Sequence, residues 1–91
     1  MWEALSKYQP YADADGHGES WRVMCEQRTH KVAFAAEVAA DVHSAYAGWK
    51  AARAATEAEA IRAKMTVAAT RAAYWSNRAI ESIEAAIKER T

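Results

Sequence analysis
Few residues of this chain combine types and spacing that could do chemistry. The densest group is Asp13-Ala14-Asp15-Gly16-His17-Gly18-Glu19. Its aspartates fall where the first and third positions of a helix–loop–helix calcium loop would lie, with Gly18 at the sixth, where the chain must turn sharply. The second half of that pattern fails, because Met24 stands where a bidentate glutamate belongs. The segment therefore reads as an Asp/Gly turn leading into a helix, with Asp15 or Ser20 as cap. Glu26 and His30 are four apart and share a face of a continuous helix, but two ligands do not make a site, and zinc needs three or four. Cys25 is the single cysteine and has no disulfide partner in the chain. His30, five residues on, points to another side of a helix, so no base stands beside the thiol to make it a nucleophile. No Cys-x-x-Cys, His-Glu-x-x-His or phosphate-loop pattern occurs. The expectation is a non-enzymatic protein with no catalytic residues, no metal site and no cofactor.

Two softer signals remain. Lys64, Arg71 and Arg78 recur every seven residues, with Tyr74 beside the last two, a stripe that could bind a phosphate backbone. Residues 1–47 hold seven acids and four bases, and residues 48–91 hold five acids and eight bases. The stripe therefore reads first as a basic helix flank facing a more acidic one, and only second as an anion site. Trp2, Trp21, Trp49 and Trp75 could line a small-ligand pocket. In a chain with 24 alanines they are first the bulk that alanine lacks.

The elements that must position these residues are helices. Three glycines and one proline in 91 residues leave too few turn signals for a β architecture. Ala, Glu, Lys, Arg and Met dominate from Glu19 onward, and these are the best helix formers. Seventy helical residues in one rod would span about 105 Å, so one break is expected. Thr56-Glu57-Ala58-Glu59 fits a capping box and is preferred to Gly48 as its place. This gives an all-α fold of one domain: an N-terminal segment and loop over 1–18 with a short helix, a first long helix over 19–54, and a second over 57–89.

Apolar periodicity supports an antiparallel hairpin of the two long helices. Trp21, Cys25, Arg28, Val32, Ala35, Ala39, Val42, Tyr46 and Trp49 alternate steps of four and three, as do Ile61, Met65, Ala68, Ala72, Trp75, Ala79, Ser82 and Ala86. With a turn near residue 55, Trp75 faces Ala35, Val42 faces Ala68, and Arg28 comes within reach of Glu81.

Each helix carries a further apolar stripe, including Phe34 and Val38 on the first and Ile80, Ile83 and Ile87 on the second. A lone hairpin would leave these wet, so two copies are expected to form a four-helix bundle through them. The alternative is cover within one chain, by a tighter fold of residues 1–18 or by a break at Gly48 that makes a third helix.

Equal numbers of acidic and basic residues argue against a nucleic-acid coat or a polybasic membrane binder. No signal peptide is visible, and the most apolar window, 32–49, carries Glu37 and Asp41, so a cytoplasmic location without membrane insertion is expected. The leading functional expectation is a structural or protein-interaction module that acts as a homodimer, with another protein as a further possible partner. By analogy with other small products of this kind, a phage or other mobile element is a natural source. The second reading is a nucleic-acid or regulatory binding protein using Lys64, Arg71 and Arg78. The third is a small-molecule binder with an aromatic pocket.

Overall fold
Helix formers dominate the chain, and the backbone follows them. The computed structural model describes residues 1–64 and 69–91 and contains no strand among the described residues. Six helices occur there: α1 Trp2–Ser6, α2 Gln9–Asp15, α3 Gly18–Gln27, α4 His30–Val42, α5 Tyr46–Ala63 and α6 Ala69–Arg90. No helix among the described residues is long and apolar enough to cross a membrane.

The stretch expected as one helix over 19–54 is divided twice. Arg28 takes a left-handed conformation (φ 58°) and closes α3 through its N–H to the Met24 carbonyl at 2.9 Å. Its guanidinium Nε also donates to the Cys25 carbonyl at 3.0 Å, so Arg28 is a helix terminator and not a seam residue beside Glu81. Thr29 then starts α4, its Oγ1 accepting from the Val32 N–H at 3.4 Å. The second division is at Ser44 (φ 56°), where the Ala45 N–H reaches the Ala40 carbonyl at 2.8 Å and the Ser44 N–H the Asp41 carbonyl at 3.0 Å. This crossed pair of bonds usually forms over a glycine. Gly16 supplies it in the usual way at the end of α2, with φ 94°. The expected break at Thr56 is absent. Thr56 lies inside α5 and turns its hydroxyl back to the Ala52 carbonyl at 2.8 Å. Glu59, the other half of the expected capping box, pairs with Arg62.

The expected facing pairs dissolve with the hairpin. Ala35, Val42 and Tyr46, assigned to the seam, are exposed, while Met65 and Ala68 lie outside the described residues. The pairing instead runs α4 on α5 and α5 on α6, with α3 on α4 and α1 against both α3 and α6. Arg62, late in α5, hydrogen-bonds Ser76, early in α6. Tyr46 and Lys50, early in α5, meet Ser82 and Ala85, late in α6. The two helices therefore run in opposite directions.

Packing depends on a division of labour. The buried residues of α5 are Gly48, Ala51, Ala52, Ala54, Ala55 and Ala58, so both neighbours can approach its backbone closely. Bulk comes from elsewhere: Leu5, Tyr8, Trp21, Met24 and Ile83 are the largest fully buried side chains. Trp21 also donates its indole N–H to the Leu5 carbonyl at 2.8 Å, which satisfies both buried groups. The N-terminal helices thus fill the core rather than capping one end of it.

This settles part of the second apolar stripe. Ile83 is buried within the chain, in one cluster with Leu5, Trp21 and Ala86, and Ile80 and Ile87 are half-buried. Of the residues expected at a self-association interface, only Phe34 and Val38 remain exposed. The within-chain cover arises from residues 1–18, the alternative open at the sequence level. Ile83→Ala should therefore cost about 2–5 kcal/mol of folding stability by leaving a cavity. Urea unfolding should give the same loss at low and high protein concentration. A loss that grows with concentration would place Ile83 at an interface instead.

Candidate functional site
The α4 helix buries Ala33, Ala36, Glu37 and Ala40 and turns the opposite side to solvent. That side carries Phe34 (54% exposed), Val38 (46%) and Val42 (74%), spaced by four residues so that they form one stripe. Exposed Lys31 and Asp41 stand at its two ends and exposed Ala35 between them. Tyr46, at the start of α5, is 68% exposed and stacks on Trp49 with ring centroids 5.7 Å apart. A contiguous apolar strip on a small protein marks a contact surface more often than scattered single residues do. Sequence spacing does not mark Val42, Lys31 or Asp41 as residues of a contact surface. Val42 had been placed in an intrachain seam, and the two charges gained meaning only once α4 was bounded.

Behind this face, Glu37 is buried, and its Oε2 lies 3.6 Å from Arg53 on α5. Its Oε1 has no hydrogen-bond partner.

A second buried polar group is His17, between α2 and α3. It packs against Tyr8, with ring centroids 6.4 Å apart, and edge-on to Trp21 at 6.0 Å. The His43 ring lies 6.3 Å away. Gly48 makes this packing possible, since a Cβ there would come within 2.9 Å of the His17 ring. Neither ring nitrogen of His17 has a hydrogen-bond partner. Burial pushes its pKa below the ordinary histidine value, Asp15 opposes that shift, and His43 and Arg90 add to it.

The groups expected to be chemically idle or structural can now be placed. Asp13 accepts from the Gln9 amide at 2.9 Å, and Asp15 holds Arg90 at 2.8 Å, so both carboxylates of the calcium-like segment have protein partners. Gly18 is required for a steric reason, because a Cβ would lie 2.9 Å from the Asp13 Cα. Glu26 and His30 stand on different helices, separated by the turn at Arg28, and Glu26 pairs with Arg22 at 2.8 Å. Cys25 is buried, and burial raises its thiol pKa, the opposite of what a nucleophile needs. Among the described residues, no three His, Cys, Asp or Glu side chains are grouped so that they could hold a metal ion.

The basic stripe is brought together only in part. Lys64 ends α5, while Arg71 and Arg78 are exposed on α6, with residues between Lys64 and α6 outside the described set. Arg78 lies 5.6 Å from the Tyr74 ring centroid and shares a cleft with Lys50, Ser82 and Glu81. The tryptophans divide by role. Trp21 is core and Trp2 packs against the core, whereas half-buried Trp49 and Trp75 flank a shallow cleft of about 180 Å³ with Tyr46, Lys50, Arg53 and Arg78.

The His17 geometry gives a pH dependence of stability. Its folded pKa is depressed, so the unfolded chain takes up the proton more readily than the folded one. The stabilising effect of neutral His17 is complete above the unfolded value near 6.5 and declines as pH falls through it toward the folded value. Replacing His17 with Leu should flatten the dependence of melting temperature on pH between about 7.5 and 5. An unchanged slope would show that His17 is not the group responsible.

The chain matches no known protein family, no curated protein and no solved structure.

Proposed function
We propose that this chain is a small non-enzymatic interaction module that works as a homodimer through the outer face of α4. The observation that carries the reading is the stripe of Phe34, Val38 and Val42 on a helix whose other side is packed. The α4 face is about 20 Å long, from 13 residues at 1.5 Å each. Burying these half-exposed side chains on both copies is worth about 5–9 kcal/mol. That is comparable to an association cost of ~4–15 kcal/mol. The face is also smaller than the ~800 Å² per partner of a standard interface. A weak dimer in exchange with monomer at submillimolar to millimolar concentration follows. With α5 behind each α4, such a dimer sets four helices side by side, the bundle expected from sequence but built on a different helix.

A second reading has one specific observation in its favour. Arg71 and Arg78 are exposed on α6 beside Tyr74, and Lys50 faces Arg78 from α5. Cations interleaved with aromatics suit a single-stranded nucleic acid. Glu81 in the same cleft and the Glu37–Arg53 pair reduce the net positive charge there, which ranks this reading below the first. The small-molecule reading has less support, since the cleft that joins Trp49 and Trp75 is smaller than the ~300–1,000 Å³ of most ligand pockets, and the cavity of about 350 Å³ beside Asp41, Tyr46 and Trp49 holds one of the four tryptophans.

Sedimentation equilibrium should give a mass approaching twice 10.1 kDa as concentration rises. Val38→Asp should give a folded monomer, because Val38 is exposed in the single chain and only its contact with a partner is lost. A chain that stays monomeric to millimolar concentration would overturn the reading. Loss of a short single-stranded DNA probe on adding salt, with a monomeric protein, would favour the second.

A further inference from the structure
The exposed face of α4 also specifies how a second copy would lie on it. Lys31, Phe34, Val38 and Asp41 are separated by three, four and three residues, a spacing that reads the same from either end. A two-fold axis beside the middle of α4 therefore brings Phe34 against the partner's Val38 and Lys31 against the partner's Asp41. The large ring meets the smaller branched side chain, and exposed Ala35 leaves room for the helix axes to approach. A parallel, in-register pair would set Lys31 against the partner's Lys31 and Asp41 against the partner's Asp41, with like charges opposed. Only the antiparallel arrangement makes two opposite-charge pairs.

The position of these charges on their own helix points the same way. Lys31 is in the first turn of α4 and Asp41 in the last, and that helix has no acidic residue in its first turn and no basic one in its last. Each charge therefore sits at the end of the helix dipole that disfavours it. Among the described residues neither makes an ion pair within its chain. In the antiparallel pair, Lys31 lies at the negative end of the partner's α4 and Asp41 at the positive end, so a local cost in the monomer becomes an attraction between copies.

We propose that the partner on this face is a second copy of the chain, held as an antiparallel α4–α4 pair about a two-fold axis, with Lys31 and Asp41 setting its register. This rests on the homodimer reading above and is tested separately from it. Sedimentation velocity at low salt would compare the parent with Lys31→Asp, Asp41→Lys and the double exchange. Each single change turns both attractive pairs into repulsive ones and should weaken dimerisation by about fivefold to thirtyfold. The double exchange should recover most of the loss. Both positions are exposed, and both new charges suit the α4 dipole, so circular dichroism should show folded monomers in every case. As an independent measure, a short bismaleimide should cross-link a mixture of the Lys31→Cys and Asp41→Cys proteins. It should leave each alone uncoupled, since like positions lie about 15 Å apart along the pair. A dimer indifferent to the single changes, or a double exchange as weak as the singles, would overturn this arrangement and leave the homodimer reading standing. A monomer throughout would overturn both.

Discussion

The close approach that α5 allows is the constraint on which the rest of the structure depends. Its fully buried positions are glycine or alanine only, so both α4 and α6 can approach its backbone there, while its long side chains Trp49, Arg53 and Arg62 lie along the edges of the contact. A helix that thin can sit between two others, but it cannot fill a core. Volume must come from its neighbours, and it comes mainly from the first 25 residues and from Ile83. The same thinness explains where the unusual polar groups lie. His17 reaches in over Gly48, Glu37 extends along α4 to Arg53, and Ser76 takes a hydrogen bond from Arg62. Each polar side chain occupies space next to a residue of α5 or reaches a long one on its edge. Two of the three leave polar atoms without partners, a cost that better-packed regions offset.

The sequence was legible where one residue type dictates one conformation. Gly16 makes the turn expected of the Asp/Gly segment, although Gln9–Asp15 before it is helix rather than loop, and the run of helix formers after Glu19 is helical where it is described apart from the breaks at 28–29 and 43–45. Phe34 and Val38 were recognisable as uncovered, because their spacing set them off the main seam. The breaks at Arg28 and Ser44 were not legible. Both use left-handed backbone at residues that rarely adopt it, stabilised by carbonyl contacts that exist only once the chain has turned. Thr29 did carry a readable capping signal, but continuous apolar spacing across it favoured one long helix. The Thr56 signal misled for the converse reason. A threonine hydroxyl can cap a new helix or bond back within an existing one, and the flanking alanines favour the second.

The candidate site was less legible than the fold, because exposure is a property of the assembled helices. Ile83 and Phe34 have equal claims to an interface by hydrophobicity. They differ only in whether the N-terminal helices cover them, and α1 contacts α6 while nothing in the described chain covers the outside of α4. Once α4 is bounded by Thr29 and Ser44, the rest is short-range reading. Lys31 and Asp41 become end residues of a helix, and their charges acquire a sign relative to its dipole.

The ion pair between Asp15 and Arg90 joins residues 75 apart in the chain, and Arg90 also lies over the Tyr11 ring with 4.9 Å to the centroid. Most all-helical proteins of this size assemble from neighbours in sequence and fold quickly for that reason. Here the N-terminal helices supply the bulk of the core, packing on α3 next in sequence and, through α1 and Asp15, on the last helix as well. A nascent chain that has emerged only through α5 holds Leu5 and Tyr8 without Ile83 or Arg90 to receive them. Trp21 on α3 is made early enough to take Leu5 and Tyr8, but the side of the N-terminal helices that meets Ile83 and Arg90 stays uncovered until α6 is made.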